Sequence, residues 1–222
     1  MWHDAVLVAG KDLRIEARSR VAMNQVAPFA VLVLVLFAFA IDPNRGVLAR
    51  TAPGLFWIAV LFSALLAVQR SFTLEAADGA RDSLRMAGLD GAGVFLGKAA
   101  AIALELLALE VVLGIGVVVL YGSALHGPLL LLLTCVLATA GLAAAGTVYG
   151  VVAAGLRVRE TLLPLLVLPV VAPVLLAATR ATEAIIDGRS SWADPWLRIL
   201  AVFTVIYVAF GVLAFGPLLE ES

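Results

Sequence analysis

Six long apolar stretches constrain this chain more than any other feature of its sequence. A helix needs roughly 20 predominantly apolar residues to cross a bilayer, and stretches of that length are typical of membrane proteins. Because 63% of the 222 residues are hydrophobic and 14% are charged, little chain remains for a soluble domain. We therefore predict an all-α membrane protein in which residues 1–222 form one transmembrane domain. The six predicted spans lie near Ala22 to Ile41, Pro53 to Gln69, Val94 to Tyr121, Leu129 to Gly155, Thr161 to Thr179 and Leu197 to Leu219.

The Lys and Arg residues in alternate loops predict the orientation of these spans, because positive charge near span ends stays on the cytoplasmic side. One side collects Lys11, Arg14, Arg18, Arg20, Arg70, Arg81, Arg85, Lys98, Arg157 and Arg159. The other side has Arg45, Arg50, Arg180, Arg189 and Arg198. We predict that both termini are cytoplasmic. The outer ends of the spans then carry tryptophans that we interpret as an interfacial aromatic belt, namely Trp57, Trp192 and Trp196.

The segment before the first span, residues 1–21, has the pattern of an amphipathic helix that lies on the membrane surface. Its basic and apolar side chains fall on different faces at helical spacing. The basic face carries Lys11, Arg14 and Arg18, and the apolar face carries Val6, Leu13 and Ala17. The alternative interpretation is a basic flank that only sets the orientation of the first span.

Two spans contain residues that change how helices pack. Small residues four apart let helix backbones approach closely, within one chain or between partners. In the fourth span these are Gly141 with Ala145, and Gly146 with Gly150 and Ala154. Prolines remove backbone donors, and in a membrane the freed groups must be satisfied by neighbouring helices or by a water-lined cavity. The fifth span contains Pro164, Pro169 and Pro173.

Glu105 and Glu110 lie near the middle of the third span. Burying an ionised carboxylate there costs on the order of 3 kcal/mol, so neither is expected to face lipid. Five residues correspond to roughly 140° around a helix, so the two do not form one paired-carboxylate site. We expect at least one to face a partner or a cavity, the alternative being a hydrogen-bonded packing residue. Cys135, also within a span, is interpreted as a packing residue.

The sequence predicts no catalytic, cofactor-binding or metal-binding residues in this chain. His3 and His126, the only histidines, fall near opposite faces of the membrane, so they cannot share a zinc or haem site. The stretch Gly91–Lys98, GAGVFLGK, departs from a phosphate-binding loop in its glycine spacing and in the Ala that follows Lys98. We therefore expect a non-enzymatic subunit, and the net charge of −1 argues against nucleic acid as a partner.

The longest polar segment, residues 70–93, mixes charged and apolar residues between spans two and three. This pattern is typical of a short surface helix that docks into a groove, although any solvated loop helix has a similar composition. Together with the interfacial helix, the six spans and the cytoplasmic termini, it describes a permease of the ABC-2 type, also called type V exporter-like. In such a permease the loop would be a coupling helix that receives motion from an ATPase.

Four stretches, in order along the chain, resemble the cytochrome c maturation protein B family (CcmB, haem exporter protein B). They are Lys11-Asp12-Leu13 with Glu16, Arg18 and Arg20; Ala52-Pro53-Gly54 with Trp57; Arg70-Ser71-Phe72 with Asp78-Gly79 and Leu84; and the proline-bearing run from Leu163 to Val174. One departure is Ala87-Gly88-Leu89-Asp90-Gly91, where the family pattern has a proline-containing turn.

The resemblance implies a permease subunit of the bacterial inner membrane that supports haem delivery to c-type cytochromes. ATP would be bound by a separate ABC ATPase subunit (CcmA-like). Haem would be bound mainly by a membrane partner (CcmC-like), with a small membrane subunit (CcmD-like) and a periplasmic haem chaperone (CcmE-like) completing the partners. The coupling residues implied are Glu75, Asp78, Gly79 and Asp82, whose carboxylates would meet basic residues of the ATPase.

Three alternatives stay open at this stage. The first keeps the permease and changes its cargo to a lipid, a polysaccharide or a drug. The second is an intramembrane enzyme that uses Glu105 or Glu110 as acid or base. The third is a passive scaffold, for which the charge of Asp78 and Asp82 would not matter.

Overall fold

The computed structural model describes residues 1–19, 22–40, 45–77, 88–121, 127–154 and 159–221, and every regular element in these ranges is helical. Seven α-helices occur there, and a π-helical turn over Ala22–Val26 leads into the second. They are α1 (Trp2–Ser19), α2 (Ala27–Ala40), α3 (Arg45–Ala77), α4 (Gly91–Tyr121), α5 (Pro128–Ala154), α6 (Arg159–Ile186) and α7 (Ser190–Glu221).

The helices of the structure confirm the prediction of an all-helical, multi-pass membrane protein. Five helices, α3 to α7, are long and apolar enough to cross a bilayer, and α1 with α2 make a sixth crossing if this bent pair is counted as one span. The axes of the pair differ by 54°. With 14 residues, α2 is about 21 Å long, shorter than the roughly 30 Å hydrocarbon core. The first span is therefore the irregular one.

α1 packs across the beginning of α4 at two glycines that let the backbones touch. A Cβ atom on Gly97 would lie 2.6 Å from the carbonyl oxygen of Ala5, and one on Gly93 would lie 2.8 Å from another backbone oxygen of the same segment. Ala5 is buried in this contact, whereas Val6, on the apolar face expected from the sequence, is 71% exposed. The amphipathic pattern predicts the helix, but a different face of it contacts the bundle.

The small residues of α5 pack against α3 within the chain. A Cβ atom on Gly146 would lie 2.7 Å from the Val68 side chain, and one on Gly150 would lie 2.2 Å from the ring of Phe72. Gly146 and Gly150 are four residues apart on α5, and their partners Val68 and Phe72 are four apart on α3. The two contacts therefore lie on successive turns of the same pair of helices. The sequence allows the small residues of this helix to pack within the chain or against a partner. The structure shows packing within the chain for Gly146 and Gly150.

The three prolines of α6 do not end the helix, which continues from Arg159 to Ile186. The hydroxyl group of Tyr207 in α7 donates a hydrogen bond to the carbonyl oxygen of Val170, three residues before Pro173. A proline supplies no backbone donor and crowds the turn that precedes it. A neighbouring helix therefore provides a donor beside this proline, as the absence of water in a bilayer requires.

Trp57 is not an interfacial anchor, so the aromatic-belt prediction is wrong for this residue. Its side chain is 1% exposed, and its indole N–H donates to the hydroxyl oxygen of Thr182 at 3.0 Å. The ring meets that of Phe56 edge-on, with 5.2 Å between centroids. Trp57 therefore fastens α3 to α6, whereas Trp192 is 67% exposed, in agreement with a surface position.

We expect Gly97→Ala to displace α1, because the added methyl group meets backbone atoms that cannot rotate away. The loss of stability should be about 1–3 kcal/mol, as for other overpacked contacts, and α1 should become more sensitive to protease. Gly114→Ala in the same helix is the matched control, since a Cβ atom there has nothing within 4 Å, and alanine should stabilise the helix by up to about 1 kcal/mol. Equal melting temperatures of the two detergent-solubilised variants would contradict the close contact.

Candidate functional site

Polar residues of α1, α3 and α4 meet at one end of the bundle around Lys98, whose side chain is 1% exposed. Its ammonium nitrogen donates to the hydroxyl oxygen of Ser71 at 2.9 Å and lies 3.4 Å from Oδ2 of Asp12. A buried charge is costly unless it is paired and hydrogen-bonded. Asp12 of α1 and Ser71 of α3 therefore allow Lys98 to occupy this position in α4.

A second ion pair joins α1 to α3, one turn further along α1. Nη1 of Arg70 lies 3.0 Å from Oε2 of Glu16, and Nη2 donates to the hydroxyl oxygen of Ser19 at 2.6 Å. The Arg70 and Glu16 side chains are each 19% exposed. Asp12 and Glu16 are four residues apart and lie on the same face of α1. One face of α1 therefore holds cations from two different helices.

Phe72 completes this site by joining it to α5. The Lys98 ammonium nitrogen lies 4.8 Å from the centroid of the Phe72 ring, within the range of a cation–π contact. The same ring packs against Gly150 of α5, where no side chain occupies the space. Three consecutive residues, Arg70, Ser71 and Phe72, thus contact α1, α4 and α5. We call Asp12, Glu16, Arg70, Ser71, Phe72 and Lys98 the polar junction.

The beginning of α4 is held next to the polar junction by a helix cap. Asp90 accepts a hydrogen bond from the backbone N–H of Ala92, and its own backbone N–H donates to Oδ2 of Asp4, each at 3.3 Å. A hydrogen bond from the Met1 ammonium group to Asp4 lowers the pKa of that carboxyl. Gly88 has φ of 61°, a left-handed conformation that favours glycine. This chain therefore turns into α4 with a glycine, where the resemblance noted in the sequence led us to expect a proline-containing turn.

The coupling residues expected from the sequence lie between the two helix ends that carry the polar junction. Asp78, Gly79 and Asp82 are outside the described residues, as is the side chain of Glu75 in the last turn of α3. Their role stays a prediction. Arg70 lies before this loop and Lys98 lies after it, so the loop is flanked on both sides by residues that contact α1.

Glu105 and Glu110 have different surroundings, as expected from their angular separation. Glu110 is 5% exposed and accepts a hydrogen bond from the hydroxyl group of Thr139 in α5. Its other carboxylate oxygen has no hydrogen-bond partner in the part of the chain that the structure describes. Glu105 is half-buried and close enough to Arg70 and Glu16 for their charges to act on it. The expectation that one of them faces a partner or a cavity stays a prediction.

Sequence reasoning missed Lys98 as a site residue, although a signal was available. It is a lysine within a helix that is otherwise apolar over residues 91–104, and such a residue needs a counter-charge. The sequence pattern of this stretch indicates only a departure from a phosphate-binding loop, whereas in the structure α1 packs against its Gly93 and Gly97. Among the described residues, no group of three or more His, Cys, Asp and Glu side chains could hold a metal ion.

These features define a class: a multi-pass helical membrane protein whose first helix is ion-paired to the ends of two spans around a polar loop. Residues 4–222 match the family model described as CcmB protein, and the chain therefore belongs to the CcmB family. It is 33% identical to heme exporter protein B of Paracoccus denitrificans over 96% of both chains. It is also 31% identical to heme exporter protein B of Rhodobacter capsulatus over 90% of both chains.

We expect Lys98→Met to lower the free energy of unfolding by about 3 kcal/mol, because it leaves the Asp12 carboxylate without its buried partner. Lys11→Met is the matched control, since Lys11 pairs with the same carboxylate at 3.1 Å but is 35% exposed. That change should cost about 0–1 kcal/mol.

Adding Asp12→Asn to Lys98→Met should restore part of the lost stability, because it removes a carboxylate whose remaining partner is the more exposed Lys11. Thermal unfolding of the wild type, the three single variants Lys98→Met, Lys11→Met and Asp12→Asn, and the double variant in one detergent measures these differences. If Asp12→Asn destabilised the Lys98→Met variant as much as it destabilises the wild type, the two residues would act independently. That result would contradict the buried ion pair.

Proposed function

We propose that this chain is the permease subunit of a haem export complex that acts in the maturation of c-type cytochromes. The observation that carries the proposal is the family match over residues 4–222, together with relatives named heme exporter protein B that are similar over nearly their whole length. The multi-pass helical fold is of the kind that a permease requires. The bacterial inner membrane and cytoplasmic termini are part of the proposal, supported by the distribution of Lys and Arg.

The proposed division of labour assigns ATP and haem to other subunits. A CcmA-like ATPase would bind and hydrolyse ATP, and a CcmC-like membrane protein would bind haem, with a CcmD-like subunit beside it. A CcmE-like chaperone would receive the haem. In this scheme the chain itself converts motion of the ATPase into a rearrangement of helices and is not an enzyme.

The polar junction would carry that motion from the loop into the membrane. The loop residues Glu75, Asp78, Gly79 and Asp82 would dock on the ATPase, and a displacement of the loop would reach the ends of α3 and α4 first. Because α1 is ion-paired to both ends, the three helices would move together. α5 would follow through the contact of Phe72 with Gly150. The ion pairs thus link α3 and α4, which the loop separates in sequence, through their shared partner α1.

Asp78→Arg should uncouple the permease from its ATPase, because it reverses a charge on the docking loop and leaves the spans unchanged. We expect covalent haem staining of c-type cytochromes to fall about tenfold, since like charges across an interface cost several kcal/mol. Asp187→Arg is the control: Asp187 is 49% exposed and lies after α6, at the other end of the bundle. Full staining together with retained co-purification of the ATPase would refute the coupling role of Asp78.

A strain that lacks this gene tests the proposed cargo directly. Loss of covalent haem staining of membrane proteins, restored by the wild-type copy, would support the role in cytochrome maturation. Normal staining in the deletion strain would remove the haem assignment. The permease fold would then remain, and a different cargo would have to be sought.

A further inference from the structure

A groove of about 700 Å³ lies between α3 and α6, at the end of the bundle opposite to the polar junction. Its volume is within the roughly 300–1,000 Å³ of typical small-molecule sites. The two helices run antiparallel along it, so the first residues of α3 face the last turns of α6. The groove is open along one side, and its walls belong to helices that cross the membrane.

The groove is charged at one end and apolar at the other. Arg50, Arg180 and Glu183 lie at the end where α3 begins, whereas the walls further along α3 and back along α6 include Ile58 and Ala172. An amphiphile with one anionic group and a hydrocarbon chain likewise has one charged end and one apolar end. The order of the residues also matches a bilayer, in which charge is at the surface and hydrocarbon lies below it.

The charged end favours an anion. Arg180 is ion-paired with Glu183 at 2.9 Å, which balances one positive charge. Arg50 also lines the groove, and it has no carboxylate partner within the described ranges. A guanidinium group binds phosphate oxygens through two parallel N–H donors and is therefore well suited to phosphate recognition. The described residues that line the groove thus have a net positive charge at the end of the candidate span that begins at Arg50.

We propose that this groove binds one anionic phospholipid, with its phosphate on Arg50 and Arg180 and an acyl chain along Ile58 and Ala172. The occupant is the membrane's own lipid because the groove opens sideways from membrane-spanning helices and, among the described residues that line it, has one more positive than negative charge. The site is distinct from the polar junction. It does not depend on the cargo that the permease moves.

Native mass spectrometry of the purified, delipidated full-length chain tests the proposal, with phosphatidylglycerol or phosphatidylcholine added separately. The wild-type chain should retain phosphatidylglycerol preferentially. Arg50→Gln should weaken phosphatidylglycerol binding about fivefold, the equivalent of about 1 kcal/mol for one basic residue near a lipid surface. It should weaken phosphatidylcholine binding less, because the choline ammonium group offsets the charge of the phosphate. Arg198→Gln is the matched control, because Arg198 is exposed on α7 and does not line the groove.

Ala172→Trp tests the apolar end by filling it, and it should lower retention of both lipids. Val205→Trp places the same side chain at a 66% exposed position of α7 and should change neither. Elution volume and helical circular dichroism check that each variant is folded. Equal retention of the two lipids by the wild-type chain, or the same result for Arg50→Gln and Arg198→Gln, would overturn the proposal.

A final measurement separates a lipid site from a cargo site. Haem is added to the wild-type chain that carries bound phosphatidylglycerol. Retention of the lipid supports the proposal, and displacement that follows the haem concentration overturns it in favour of a site for the haem carboxylates. The cargo is tested independently by the deletion strain, so failure of one idea is distinguishable from failure of the other.

Discussion

An ammonium group that is 1% exposed has lost its water shell, so Lys98 depends on protein groups to replace it. Those groups come from two other helices, Ser71 of α3 and Asp12 of α1, and Asp12 could not reach Lys98 unless α1 lay against α4. The absence of side chains at Gly93 and Gly97 allows that approach. Two glycines and one lysine, all within one turn and a half of α4, thus determine where the first helix of the chain lies.

The two ends of the bundle are held together in different ways. At the end near the loop, α1, α3 and α4 are joined by charged groups, Asp12 with Lys98 and Glu16 with Arg70. At the opposite end, α3 and α6 are joined by a neutral hydrogen bond from Trp57 and leave a groove beside it. The proposed transmission of movement uses the first end, and the proposed lipid site uses the second.

The features that sequence reasoning predicted correctly are those that depend on one segment at a time. A membrane span is recognised by its own length and composition, so the five long helices α3 to α7 and the helical character of residues 2–19 could be expected. The features it missed depend on residues far apart. Lys98 meets partners 27 and 86 positions away, and Trp57 meets one 125 positions away. Neither the buried lysine nor the buried tryptophan could be given its role before the packing of the helices was known.

α3 is the element that both ends of the molecule share. It carries Arg50 and Trp57 beside the groove, and Arg70 in the polar junction, on one uninterrupted helix of 33 residues. Arg50 and Arg70 are separated by about 30 Å along this helix. If α3 moves as a unit across Pro53, a displacement imposed at the proposed coupling loop would change the position of Arg50 relative to α6. By thermodynamic reciprocity, an occupant that prefers one separation of α3 and α6 would then also favour one arrangement of the polar junction.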